Sequence, residues 1–245
     1  MYATLTVARY PRWLFPFALL SVVWMRLPLW LDKRNRLVKL MGSGRNGRFD
    51  IIPDLRQWAL MVFREEPFPS SVLSDQARTV ERSLYGNAID GWWRRLGCEV
   101  CTILLQVQGG HGTWDGKVLT TKETVLPTDA QPMAVLTRAT IRWKRLWVFW
   151  TQLPAVSHRF SETPGLILSL GIGEVPLTRQ ATFSIWRSES DMKAFAYQSP
   201  EHRDVIARTR RERWYSEDMF LRFQVLGIVG SIRGENPWPL AGTLP

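Results

Sequence analysis

The sequence predicts an α+β chain built from two fused copies of one β-α-β-β-α-β unit, and three observations carry that prediction. First, Gln106-Val-Gln-Gly-Gly-His-Gly-Thr-Trp-Asp-Gly116 aligns without gaps on Gln224-Val-Leu-Gly-Ile-Val-Gly-Ser-Ile-Arg-Gly234, with five of eleven positions identical and three glycines in register. Second, the same order of alternating and helical patterns precedes each copy. Third, 245 residues that are 45% hydrophobic suffice for two small units with a shared core and no disulfide staples.

In the first copy, Ala3–Tyr10 alternates as a strand and the apolar stretch 13–31 follows as a helix. Leu37–Met41 is the next strand and runs into a loop at Gly42-Ser-Gly44; Trp58–Phe63 is another. A polar-amphipathic helical stretch covers about 70–96, and Cys98–Gln108 closes the unit as a strand. In the second copy the corresponding pieces are strand Val135–Trp143, helix Leu146–Phe160 and strand Leu166–Leu170 entering Gly171-Ile-Gly173. Strand Gln180–Trp186, a helical stretch over 188–216 and a closing strand complete it. This is the ferredoxin-like order, twice. Each unit leaves one sheet face to be covered, and two fused copies cover each other as a barrel-like sandwich with helices outside. The expected organisation is a first repeat over 1–116, a linker over 117–134, a second repeat over 135–235 and a tail over 236–245.

The net charge of +10 and the 13 tryptophans are unusual. Residues 1–48 hold nine Lys or Arg and the single acid Asp32, so +8 of the +10 lies there. These cations flank Trp13–Met25 and are not interleaved with polar residues along a recognition helix, which argues against a nucleic-acid partner. Leu14–Met25 is about half of the ~20 apolar residues that a membrane span needs, Arg26 and Pro28 interrupt its continuation, and no small-residue cleavage site follows. Two readings stay open: a core helix, or a helix that also lies against a membrane surface through Trp13, Trp24 and Trp30 with Arg12, Arg26, Lys33, Arg34 and Arg36 around them. Trp143, Trp147, Phe149 and Trp150 occupy the equivalent helix of the second copy.

Cys98 and Cys101 fall on a strand, where positions i and i+3 face opposite sides, so they read as two separate structural thiols. The chain has no Gly-x-Ser-x-Gly, no Gly-x-x-x-x-Gly-Lys and no His-Glu-x-x-His, and Gly171-Ile-Gly173 lacks the third glycine of a dinucleotide fingerprint. Of the three histidines, His111 sits in Gly-Gly-His-Gly at a strand end and reads as an exposed loop residue, and His158 closes a helix. For His202, Ser199-Pro200-Glu201 has the pattern of a helix start, and His202, Val205, Ile206 and Thr209 then share one inward stripe. On the residues alone, His202 reads either as a surface or core residue or as a ligand.

Leu136-Thr-Arg-Ala-Thr-Ile-Arg142, Gly171-Ile-Gly-Glu-Val-Pro176 and Arg179-Gln-Ala-Thr-Phe-Ser-Ile-Trp186 resemble the spheroidene monooxygenase family. So do Met192–Tyr197, His202–Trp214 and Phe223–Gly227. The resemblance is dense over 135–235 and thinner over 1–116, where Gly42-Ser-Gly44 and Trp114-Asp-Gly116 are the main matches. It implies a dimeric α+β barrel scaffold that holds heme b. It further implies oxygen insertion into a carotenoid such as spheroidene to give the 2-keto product, with dioxygen and an external electron donor such as reduced ferredoxin. His202 is then the ligand of the heme iron and Ile206 part of the pocket, while Arg142, Phe183 and Trp186 contact the cofactor. Arg138 and Arg179 are the candidate catalytic residues, as distal or carboxylate-binding cations; as plain residues, they and Arg142 read equally as solvated strand-end charges. Phe183, Ile185 and Trp186 are expected to form one apolar wall. A substrate that resides in a bilayer implies a cytoplasmic enzyme peripheral to the inner (photosynthetic) membrane. The alternatives are a heme enzyme of the same scaffold acting on another apolar substrate, or a heme-free, membrane-associated binding protein.

Overall fold

The computed structural model describes residues 1–47, 49–70, 72, 80–120, 131–151, 163–198, 208–209 and 211–237. It is an α+β fold. The first copy comprises strand β1 (Tyr2–Arg9), helices α1 (Phe15–Trp24) and α2 (Arg26–Leu31), strands β2 (Asn35–Gly44) and β3 (Pro53–Arg64), helix α3 (Val80–Arg95) and strand β4 (Glu99–Gly112). The second comprises β5 (Met133–Ile141), helical residues 146–151 (α4), β6 (Leu166–Val175), β7 (Arg179–Trp186), α5 (Glu189–Gln198) and β8 (Tyr215–Gly230). The β-α-β-β-α-β order therefore occurs twice. Hydrogen bonding orders the strands β1-β3-β2-β6-β7-β5-β8-β4 in a closed barrel.

The chain forms two compact units. One holds Met1–Gly42, Asp54–Gln106 and the chain from Val225; the other holds Ser43–Pro53 and Val107–Gln224. The closing strands β4 and β8 thus each contribute to both units.

In the first unit, β1 is the centre strand: Thr6 lies opposite Leu60 of β3 and Thr102 of β4. Its alternation sends Leu5 and Val7 to one face and Thr4, Thr6 and Ala8 to the other, and all are buried. The helix-facing core gathers Ala8, Tyr10, Leu60, Val62 and Leu104 with Ala18, Met25 and Leu29 of the first helices and Val80, Leu84, Ile89 and Trp93 of α3. The predicted helix over 13–31 is interrupted at Met25. Pro28 has no N–H to give the carbonyl of Trp24, so the ladder resumes only with Leu29 N to Met25 O at 3.3 Å. Gly97, at φ 60°, ends α3, and the Cys98 N–H returns to the Trp93 carbonyl at 2.9 Å.

The glycine register of the repeat has a steric cause. A Cβ on Gly112 (φ 85°) would stand 2.1 Å from the Asp218 carbonyl oxygen, and one on Gly230 (φ 90°) would stand 2.0 Å from that of Val100. These are equivalent positions in the two copies, each within its own unit, and only glycine permits the approach. Gly42-Ser-Gly44, expected as a loop, is the end of β2. His111 likewise lies within β4 and not in a loop beyond it.

Candidate functional site

In the second unit the centre strand is β5. Its register places Met133, Val135, Thr137 and Ala139 opposite Trp186, Ser184, Thr182 and Gln180 of β7. On its other side the same residues meet Gln224, Arg222, Phe220 and Asp218 of β8. Residues directly opposite share a face, so these twelve positions form one helix-facing surface. At one end it is packed: Met133, Val135 and Trp186 make a buried cluster with Leu166, Phe220 and the α5 residues Met192 and Phe195. The rings of Trp186 and Phe195 lie 5.4 Å apart, and Trp186 Nε1 donates to Ser184 Oγ at 2.9 Å. Arg222 donates to Glu189 Oε1 at 2.9 Å, tying β8 to the start of α5.

Further along, the face opens. Thr137 is exposed at the middle of the centre strand, and its neighbours Thr182 and Phe220 are only half-buried. His111 is also exposed, with its ring stacked on that of Phe220 at a centroid separation of 5.5 Å and 21° between planes. Thr137, Thr182, Phe220 and His111 therefore form a row across β7, β5, β8 and β4 with apolar flanks and the cation Arg222 beside it.

The equivalent row of the first unit is Thr6, Leu60 and Thr102, at 0%, 2% and 0% exposure. There α3 fills the space. Tyr85 Oη lies 2.7 Å from Thr6 Oγ1 and 2.8 Å from Thr4 Oγ1, and Thr102 Oγ1 donates to Glu81 Oε1 at 2.7 Å. Burial pushes the Tyr85 hydroxyl up to about 12, against the lowering effect of its hydrogen bonds with Thr4 and Thr6. It raises the Glu81 carboxyl as well.

The inner face of the second sheet carries a different arrangement. Arg138, 1% exposed, is paired with Glu217 and lies 3.5 Å from Glu174 and 3.9 Å from Asp115. Arg179 reaches Asp115 at 3.5 Å, and Trp114, whose Nε1 donates to Glu174 at 2.7 Å, lies with its ring 5.7 Å from the Arg138 guanidinium. Glu217 also accepts from Thr113 Oγ1 and the Gly116 N–H, both at 2.9 Å. Burial acts to raise its carboxyl, but Gly116, Thr113 and Arg138 together outweigh that and hold it down at about 2. A similar bracket stands at the equivalent place in the first unit: Ser231 Oγ donates to Glu99 Oε1 at 3.0 Å, and the Gly234 N–H also donates to it. The counterpart of Arg138 itself is missing there, because Val7 stands where β5 has Arg138.

The structure thus separates the residues that the sequence grouped. Arg138, Arg179 and Phe183 belong to the inner face, with Phe183 and Ile185 at 0% and 1% exposure. Trp186 points the other way, onto the face that also carries Thr137 and Arg222, where it lies opposite Met133; the expected single wall of Phe183, Ile185 and Trp186 is two walls, because period-two alternation sets position 186 apart from 183 and 185. Arg142 follows β5, is exposed, and donates through Nε to the Tyr215 carbonyl at 3.0 Å. His202, Ile206 and His158 lie outside the described residues. Thr137, Phe220, Arg222 and His111 were not singled out as site residues; the alternation Phe220-Leu-Arg-Phe-Gln224 in β8 carried the signal for two of them.

Other features of the described residues suit the site less. A polar cleft of about 430 Å³ in the first unit is lined by Arg9, Tyr10, Pro11, Arg56, Gly97, Glu99 and Arg233. No group of three or more His, Cys, Asp or Glu is arranged to hold a metal ion among the described residues. Cys98 and Cys101 are unpaired, and burial pushes both thiols up to about 12.

No protein-family model matches the chain. In fold it is similar to a solved structure of aldoxime dehydratase, with a TM-score of 0.56 at 11% identity over 91% of this chain and 80% of that one. A second aldoxime dehydratase, crystallised with butyraldoxime, gives 0.54 at 10% identity over 91% and 79%. In sequence it is 31% identical over 223 residues to spheroidene monooxygenase of Rhodobacter capsulatus, covering 91% of this chain and 88% of that protein. It is 34% identical over 201 residues to the Cereibacter sphaeroides protein of the same name, covering 81% of this chain and 58% of the longer relative. The Rubrivivax gelatinosus protein gives 31% over 199 residues, 81% of this chain and 72% of its own length. With that identity running along nearly the whole of both chains, this protein belongs to the spheroidene monooxygenase family.

Proposed function

We propose that the chain is a heme-dependent carotenoid monooxygenase, a ketolase that converts spheroidene or a similar polyene to its 2-keto product. The observation that carries this reading is the open row at Thr137, Thr182 and Phe220, on a sheet face whose counterpart in the first unit is filled. Its residues suit a flat, apolar prosthetic group with acidic edge substituents. Half-buried Phe220 offers an apolar floor bordered by the packed cluster of Val135 and Trp186, and Thr137 and Thr182 offer hydroxyls. Arg142, exposed beyond the end of β5, offers a cation for carboxylates, while Arg222 is already paired with Glu189. His202 and Ile206 enter by family resemblance, His202 as the iron ligand. Equivalence within the repeat matches His202 to Leu84, which is 1% exposed in the filled unit, so one heme per chain is expected.

Heme supplies the activation of dioxygen. The chain supplies position and dryness. The apolar flanks of the row would hold a hydrocarbon chain by burial, and its seating together with the prosthetic group would displace the water that reaches Thr137. Two successive hydroxylations of one methylene, each using one dioxygen, two electrons and two protons and releasing one water, give a geminal diol. Loss of water from that diol leaves the ketone. The electrons come from an external donor such as reduced ferredoxin, in keeping with the missing nucleotide fingerprint. On this reading Arg138 and Arg179, held by carboxylates on the opposite face, are positioning residues: they fix the Trp114–Gly116 turn and the back of β5.

The test is the visible spectrum of the purified protein after heme supplementation, followed by coexpression with spheroidene. A Soret band that disappears in His202→Ala, with formation of the 2-keto carotenoid by the wild type, is expected. No Soret band would overturn heme dependence. A heme-loaded protein that leaves spheroidene untouched while oxidising another apolar substrate would overturn the substrate assignment.

A further inference from the structure

Helices α1 and α2 present a surface that the oxygenase reading does not use. Their inner stripe packs on the first unit: Ala18, Ser21, Met25 and Leu29 are buried, and Trp24 and Phe17 meet Trp92 at ring separations of 5.2 and 6.1 Å. The outer stripe is apolar yet exposed. Trp13 and Trp30 are each 79% exposed, Val23 69% and Leu27 61%, and Phe15, Leu19, Leu20 and Leu31 are exposed as well. An amphipathic surface helix in a soluble domain turns polar residues outward. This one turns tryptophan, leucine and valine outward, and the only charges among residues 1–31 are arginines, the first acid being Asp32.

The charge around the stripe is unbalanced. Arg34 is paired with Asp32 at 2.7 Å and Arg36 with Glu65 at 2.6 Å, but Arg12, Arg26 and Lys33 are exposed and enter no ion pair among the described residues. Arg12 and Lys33 stand just outside the two exposed tryptophans, and Arg26 stands between α1 and α2. Indole and guanidinium groups bordering an aliphatic strip match the headgroup boundary of a bilayer, and the cations match anionic headgroups.

We infer that the α1–α2 face docks the protein on an anionic lipid bilayer, lying in the plane of the interface with Trp13, Leu20, Val23, Leu27 and Trp30 among the upper acyl chains. The stretch Arg12–Leu31 is long and apolar enough to cross a membrane by length and composition. Crossing is disfavoured by the buried inner stripe, which would have to leave the core, and by Arg26 within the stretch. Trp143 and Trp147, at 80% and 82% exposure, mark the equivalent segment of the second copy with the same aromatic character. The inference stands on this surface alone and needs neither heme nor substrate.

Flotation of the full chain with vesicles of neutral phosphatidylcholine, and with vesicles containing phosphatidylglycerol, tests it. The expected result is binding to the anionic vesicles, weakened by salt, with a blue shift of tryptophan emission and release by alkaline carbonate. Leu27→Ser with Trp30→Ser, both at exposed positions, should lower partitioning about tenfold or more. Arg26→Glu and Lys33→Glu should each lower it about fivefold on anionic vesicles only. Absence of flotation at low salt would overturn the inference, as would resistance to carbonate, which marks a span. A chain dimer in solution that dissociates in the Leu27→Ser, Trp30→Ser variant would also overturn it by giving the face to a second copy.

Discussion

The two units solve the same packing problem with opposite outcomes. In the first, the helix-facing row Thr6–Leu60–Thr102 is sealed by α3, and its hydroxyls are consumed by Tyr85 and Glu81. In the second, the matching row Thr137–Thr182–Phe220 is open at its centre. A buried hydroxyl without a partner costs about 1–3 kcal/mol, so the filled copy has had to build a polar network over its threonines. The open copy has not, and the difference teaches which half of a duplicated fold is free to take a ligand. Their inner faces differ too: Glu217 is locked to a buried arginine, while Glu99, at the same place, has a comparable bracket of donors without one.

The largest expected effect comes from forcing bulk into both rows. Thr6→Trp should prevent folding or cost about 3 kcal/mol or more, since there is no void to receive the ring. Thr137→Trp should leave the melting temperature within a few degrees of wild type yet abolish heme loading. Thermal melts paired with hemin titration read both, and equal damage at the two sites would erase the distinction between filled and open faces.

Next in size are the paired carboxylates. Glu217→Gln removes the closest partner of buried Arg138 and should cost about 2–4 kcal/mol in urea unfolding. Glu99→Gln has no counterpart of Arg138 to strand, since Val7 stands at that position, and should cost about 1 kcal/mol. Comparable losses would mean that the buried arginine is satisfied by Glu174 and Asp115 alone.

The acid limb sharpens the same contrast with opposite signs. Glu217 has a folded value of about 2, below its unfolded value of about 4.5, so its contribution is present above pH ~4.5 and lost as pH falls toward 2. Glu81 is raised by burial, so its contribution is present below its unfolded value and lost as pH rises through its raised folded value. Stability measured from pH 6 to 2 should therefore fall less steeply in Glu217→Gln, and Glu81→Gln should gain stability near neutrality. Parallel curves for both variants and wild type would contradict these environments.

The smallest effect is chemical. Cys98 and Cys101, pushed up to about 12 by burial, should resist alkylation at pH 8 until the chain unfolds. Rapid labelling of the native protein would show that the first unit opens readily.

Much of the fold was legible because the duplicated segment carries its constraint in the chain itself: Gly112 and Gly230 must be glycine where a neighbouring carbonyl comes close, and that leaves a register visible by eye. Gly42-Ser-Gly44 misled for the related reason that glycine in a strand looks like glycine in a turn. The site was legible only in part. Arg138 stood out as a cation, but its partners Asp115, Glu174 and Glu217 are brought together by the sheet from distant parts of the sequence. Phe183 and Trp186 sit on one strand and were grouped as neighbours, although alternation alone separates their faces. The openness of Thr137 could not be read at all, because the same residue type in the same pattern is sealed at Thr6.

The most direct measurement of the central claim is heme stoichiometry, by Soret absorbance during hemin titration of the purified chain and of Thr137→Trp. The account predicts one heme per chain in the wild type and none in the variant, at unchanged secondary structure by circular dichroism. Two hemes per chain, or full loading of Thr137→Trp, would contradict it.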